Sequence, residues 1–206
     1  MAVTETTPDT DTTAAKVSNK RVWLFRVLVV AAAGLMLLSW VLPWWRADIT
    51  VINAWVQIHP WGIDCCTFVE EYFPTAAMPG WFAPFAWTYL GICIALLLFS
   101  LFAKEKVFSL GKFKFSLPQL IIGGVGLSYM VALVIMVVYG SIRATEYSGM
   151  KFLGNQVIEV DPEMNIVSGA YARLLFGYWL AWAVGLLLVV LALVRNRIIG
   201  KPELTT

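Results

Sequence analysis

Residues 115–142 read FSLPQLIIGGVGLSYMVALVIMVVYGSI, 28 residues without an Asp, Glu, Lys or Arg. A hydrocarbon core of about 30 Å takes about 20 apolar residues as a helix. The stretch can therefore hold one membrane span, and it is too short for two spans and a turn. Ser116-Leu117-Pro118-Gln119 opens it as a capping box with proline in the first turn. Three further charge-free stretches flank it: Val27–Trp45, Tyr72–Ala103 and Leu174–Val194, of 19, 32 and 21 residues. In lipid every backbone polar group must bond internally, so these segments are read as helices. The alternation of a membrane barrel is absent.

Composition agrees with this. The 206-residue chain is 60% hydrophobic and only 14% charged, against about 25% charged in soluble domains. A soluble enzyme, a disordered chain and a disulfide-packed secreted module are excluded. Pro74, Pro79, Gly80 and Pro84 cannot share a helix interior, so the second span starts near Pro84. The spans are expected at about 24–45, 84–103, 117–141 and 172–194, with loops at about 46–83 and 142–171. Together they make a membrane domain over 22–199, between a disordered cytoplasmic tail at 1–21 and a short one at 200–206. The first span ends on Leu42-Pro43-Trp44-Trp45-Arg46, an aromatic segment without small cleavage-site residues, and is expected to be retained.

Lys and Arg set orientation. Eleven bases and five acids lie on the side of the termini and of Lys104–Lys114, a net +6. Four bases and eight acids lie on the other side, a net −4. Both termini are expected in the cytoplasm of a multi-pass cell-membrane protein, with two acidic loops outside. Nine of ten tryptophans sit at or beyond the outer half. Interface anchoring accounts for Trp40, Trp44, Trp45 and Trp87. Trp55 and Trp61 lie too far out, and with Trp81 they are candidate partner contacts. Alternation in 48–51, 55–58 and 156–167, the last around Asp161-Pro162-Glu163, predicts short strands joining into one small sheet. The expected fold is an all-α antiparallel four-helix transmembrane bundle with a small extracellular cap of short β strands.

Leu42-Pro43-Trp44-Trp45-Arg46 is similar to the Leu-Pro-x-Trp-Arg-like segment that ends the first span of claudins. Trp61-Gly62-Ile63-Asp64-Cys65 echoes their first loop. The layout, with a long first outer loop, a short inner loop and a shorter second outer loop, resembles the claudin and peripheral-myelin-protein superfamily. Here the cysteines are adjacent, and Glu203-Leu204-Thr205-Thr206 lacks the usual aromatic-valine ending. The resemblance implies a non-catalytic protein acting through lateral and extracellular contacts.

Chemistry-bearing residues are few. His59, Asp64, Cys65 and Cys66 are metal-capable types close in sequence, near Glu70 and Glu71. A lone histidine without an i+3 or i+4 partner is a weak ligand pattern, so no cofactor is expected and an outer metal site is the alternative. Cys65 and Cys66 could form a vicinal disulfide, an intermolecular bridge or two thiols; Cys93 falls mid-span. The charge-free spans offer no proton or ion relay. Neither a phosphate loop nor a nucleophile elbow is present. Small residues recur every fourth position at Gly124, Ser128 and Ala132 and at Gly177, Ala181 and Gly185. Such stripes let helices approach closely; the expectation is a seam between spans three and four, or docking of another subunit. The basic Lys104–Lys114 loop suits anionic headgroups, and nothing points to nucleic acid. The functional expectation is a non-enzymatic structural or accessory subunit whose partners are the bilayer and other membrane subunits, in a homo- or hetero-oligomer. A membrane oxidoreductase subunit with a metal site near His59 and a claudin-like adhesion or barrier protein are the alternatives.

Overall fold

The computed structural model describes residues 10–51, 53–65, 78–103, 107–110, 113–148, 151–161 and 166–199. Four helices are long and apolar enough to cross a membrane: α1 (Thr10–Val41), α2 (Phe82–Phe102), α3 (Leu117–Ser148) and α4 (Phe176–Ile199). Between α1 and α2 come β1 (Trp45–Ile49), β2 (Ala54–His59) and β3 (Gly62–Cys65). A hairpin of β4 (Val107–Leu110) and β5 (Phe113–Ser116) joins α2 to α3, and β6 (Gly154–Asp161) and β7 (Ile166–Leu174) join α3 to α4.

The helices are antiparallel neighbours. Arg195, near the end of α4, reaches Ser116 at the start of α3, while Leu175, just before α4, bonds back to Trp44 beyond α1. Each helix buries one stripe. In α2 it is Ala86, Leu90, Cys93, Leu97 and Ser100, spaced three and four apart as a 3.6-residue period requires. Met36, Trp40, Tyr129, Leu133, Tyr178, Val184 and Leu188 share that core. The α3–α4 seam is glycine-dependent. A Cβ on Gly126 would lie 2.9 Å from Leu188 Cβ and 3.0 Å from the Gly185 carbonyl oxygen.

The described strands of the α1–α2 and α3–α4 connections form one antiparallel sheet, ordered β3-β2-β1-β7-β6. β1 is its centre, paired with β2 on one side and β7 on the other. The Trp44 N–H donates to the Ile58 carbonyl and its carbonyl accepts from the Leu175 N–H, both at 2.8 Å, so the ladder begins where the chain leaves the bundle. One face of the sheet packs on the far end of α3. Trp45, Ala47, Phe152 and Ala172 meet Met136, Val137 and Ala144 there. Phe152 stacks on Trp45 at 5.1 Å, and Trp45 Nε1 donates to the Phe152 carbonyl. Gly140 leaves the notch for that ring, since a Cβ there would stand 2.6 Å from Phe152 Cε2.

Several expectations are corrected. α1 starts at Thr10, so the expected disordered tail is helical over 10–21; once a helix exists, adding residues such as Ala14 and Ala15 is easy. The first span stops at Val41 rather than 45, because Pro43 lacks an N–H and pushes Leu42 out of the α region. α3 runs to Ser148, past the expected 141, through a segment without Gly or Pro from Ser141 on. The expected start of the fourth span at 172 belongs to β7. Trp40, Trp44 and Trp45, expected as interface anchors, are 3%, 3% and 6% exposed. They pack inward because the chain folds back over them as the sheet begins. Gln119 Oε1 accepts from the Ser116 N–H at 3.4 Å, the returning arm of the capping box. Residues 200–206, and Pro162 and Glu163 of the expected turn, lie outside the described residues.

Candidate functional site

Alternation along β1 points Trp45, Ala47 and Ile49 inward and leaves Arg46 and Asp48 on the open face. Register places Arg46 between Gln57 of β2 and Arg173 of β7, and Asp48 between Trp55 and Tyr171. The centre of the open face is thus two cross-strand rows, Gln57–Arg46–Arg173 and Trp55–Asp48–Tyr171. Arg46 Nε donates to Asp48 Oδ1 at 2.7 Å, and Arg173 Nη2 lies 3.8 Å from Asp48 Oδ2. Each guanidinium also covers a ring, Arg46 over Trp55 at 5.6 Å and Arg173 over Tyr171 at 5.4 Å. On the β6 and β7 side, Val157, Val167 and Tyr171 are exposed at 76%, 55% and 42%. Tryptophan, tyrosine and arginine are the residues that dominate protein interfaces.

The expected site residues fall in different places. Trp55 belongs to this face. Trp61 does not: it stacks on His59 at 4.9 Å and on Trp87 at 6.4 Å, tying the β2–β3 turn to α2. Trp81 is exposed at the start of α2, edge-on to Phe82 and Phe85. His59 and Asp64 share the open face, at register positions opposite Gly62 and Gln57, while Cys65 lies opposite Val56 on the inner face. Cys66, Glu70 and Glu71 lie outside the described residues. Among the described residues no group of three His, Cys, Asp or Glu could hold a metal ion. His59 Nδ1 is buried without a hydrogen-bond partner there.

The small-residue stripes behave differently from each other. Gly177, Ala181 and Gly185 are all buried. Gly177 takes the backbone of Leu42 and Pro43, and Gly185 takes Met130 of α3. On α3, however, the seam uses Gly123, Gly126 and Met130. Gly124 and Ser128 are exposed and Ala132 half-buried, a correction to the expected seam. The run Gly123-Gly124-Val125-Gly126 offers small residues on two sides of the helix, and spacing alone does not choose between them. Gly124 and Ser128 instead line a groove of about 260 Å³ between α2 and α3, with Tyr89, Cys93 and Leu96. Ser128 Oγ donates to the Val125 carbonyl at 3.0 Å, so the Tyr89 hydroxyl, 3.1 Å away, donates to Ser128.

The sequence alone does not single out Arg46, Arg173 and Tyr171 as site residues. Their signal is the period-2 pairs Arg46-x-Asp48 and Tyr171-x-Arg173 beside two span ends. No family model matches the sequence, and no curated protein aligns with it.

Proposed function

We propose that this chain is a non-enzymatic structural or accessory subunit of a membrane protein complex. The sheet stands outside the cell membrane, both termini are cytoplasmic, and a partner docks on the open face of the sheet. One observation carries the reading: two loops, separated by two spans, build a single sheet fixed to the bundle, and its free face is centred on Trp55, Arg46, Asp48, Arg173 and Tyr171. Mere connectors do not need a five-stranded platform. The exposed Gly124 and Ser128 supply a lateral face for a neighbouring helix. Photocrosslinking from Tyr171 in native membranes tests the docking face. A discrete crosslinked protein, lost on replacing Trp55 with Ala, is expected; lipid adducts and monomer alone refute it.

A claudin-like adhesion or barrier role is the second reading, favoured by the joining of both outer loops into one projecting sheet. Deletion of residues 150–165, which removes β6, then abolishes contact between cells or between facing vesicles.

A further inference from the structure

The chemistry of the open face specifies what the docked partner brings, an inference that rests on the docking reading above. Arg46 and Arg173 are direct cross-strand neighbours. Like charges opposite each other on a sheet repel, so this pair calls for anions. One is internal, Asp48, hydrogen-bonded to Arg46 Nε at 2.7 Å. Its other oxygen is 3.8 Å from Arg173 Nη2, beyond hydrogen-bond length. Two guanidinium groups with five N–H donors each therefore share one carboxylate, and among the described residues neither has another hydrogen-bond acceptor. Each also lies over a ring, at 5.6 and 5.4 Å, a contact that restricts the side chain before anything binds.

We infer that Arg46 and Arg173 form the receptor for a carboxylate side chain of the partner protein. An Asp or Glu enters between the two guanidinium forks, and its apolar neighbours lie on Tyr171, Val157 and Val167. The rim of the sheet narrows the partner further. Asp64 stands on edge strand β3 and Glu159 on edge strand β6. A polyanion spread over the whole face would meet those acids, whereas a lone carboxylate among apolar residues meets the two guanidinium groups with Asp48 as the one acid beside them.

The test uses the full chain in phosphatidylcholine nanodiscs with ¹⁵N-labelled arginine. The probe is N-acetyl-glutamate α-amide, with the glutamine analogue as control, and the readout is the Nε–H shift of Arg46 and Arg173. A saturable shift with the glutamate probe and none with the control is expected. Arg173→Gln weakens it by at least about tenfold, the worth of one charge-assisted hydrogen bond. Asp48→Asn, which removes the internal competitor, tightens it, whereas a purely structural role for the ion pair makes both variants bind worse. Equal response to both probes, no response, or weakening in both variants overturns the inference. With Tyr171 crosslinking to a discrete protein, such a failure leaves the docking reading standing; no crosslinked protein overturns both.

Discussion

Gly124 and Gly126 sit two residues apart on α3 and test the packing of the bundle when each is replaced with alanine. Both substitutions gain the same intrinsic helix propensity, about 1 kcal/mol, so the difference between them reports surroundings alone. At Gly124 a new Cβ meets nothing within 4 Å. At Gly126 it would lie 2.9 Å from Leu188 Cβ, 3.0 Å from the Gly185 carbonyl oxygen and 3.1 Å from Val189 Cγ2. Apolar carbons prefer about 3.5–4.0 Å, so α3 and α4 must part by about half an ångström. One of the atoms in the way is backbone, which no rotamer change relieves. Overpacking of this kind costs about 1–3 kcal/mol. Gly124→Ala should therefore be more stable than the parent by about 1 kcal/mol. Gly126→Ala should be less stable than Gly124→Ala by about 1–3 kcal/mol. Equilibrium unfolding in mixed micelles of mild detergent and dodecyl sulfate, followed by far-UV circular dichroism, measures both. Equal shifts in the two variants, or a more stable Gly126→Ala, would show that the seam does not run through Gly126.

Phe152→Ala empties the space between Trp45 and Gly140 and should cost about 3 kcal/mol. Hydrogen exchange should rise in β6 and β7 while the core of α4 stays protected; uniform loss of protection would mean that Phe152 does not act as a local clamp between sheet and α3. Ser116→Ala removes the acceptor of Arg195 Nη1, now at 2.9 Å in a buried site, and should cost about 1–3 kcal/mol. Faster exchange of the β5 amides is the check, and unchanged exchange would leave that bond without a stabilising role. Elemental analysis of purified protein should find no stoichiometric Zn, Cu or Fe. A bound metal that His59→Ala releases would move the oxidoreductase reading ahead of the docking one.

The four long apolar helices were legible because they follow from where charges are missing, and such a run suits no other structure in lipid. The alternating stretches around Ile49, Trp55 and Val157 announced strands for a similarly local reason: a pleated strand shows alternate residues to opposite faces. The tryptophans were harder. Trp40 and Trp81 look alike in a hydropathy profile, yet one lies against Tyr89 and Tyr129 and the other stands 64% exposed. The same holds for Arg195, a topology charge in the sequence that is 5% exposed and bonded to Ser116.

Local patterns thus set the elements: four apolar helices, a capping box at Ser116 and short strands in the α1–α2 and α3–α4 connections. The contacts between elements came from the tertiary structure alone. Nothing near Arg46 in the chain says that Arg173, 127 positions later by the numbering, is its cross-strand neighbour. Nothing in Gly123-Gly124-Val125-Gly126 says which glycine meets α4. Both depend on register and rotation, which are fixed when helices and strands pack together. A shift of one residue in a strand turns each side chain to the other face. The cationic centre of the open face therefore exists only in the folded sheet, where pairing of β1 with β7 brings the two arginines to one carboxylate.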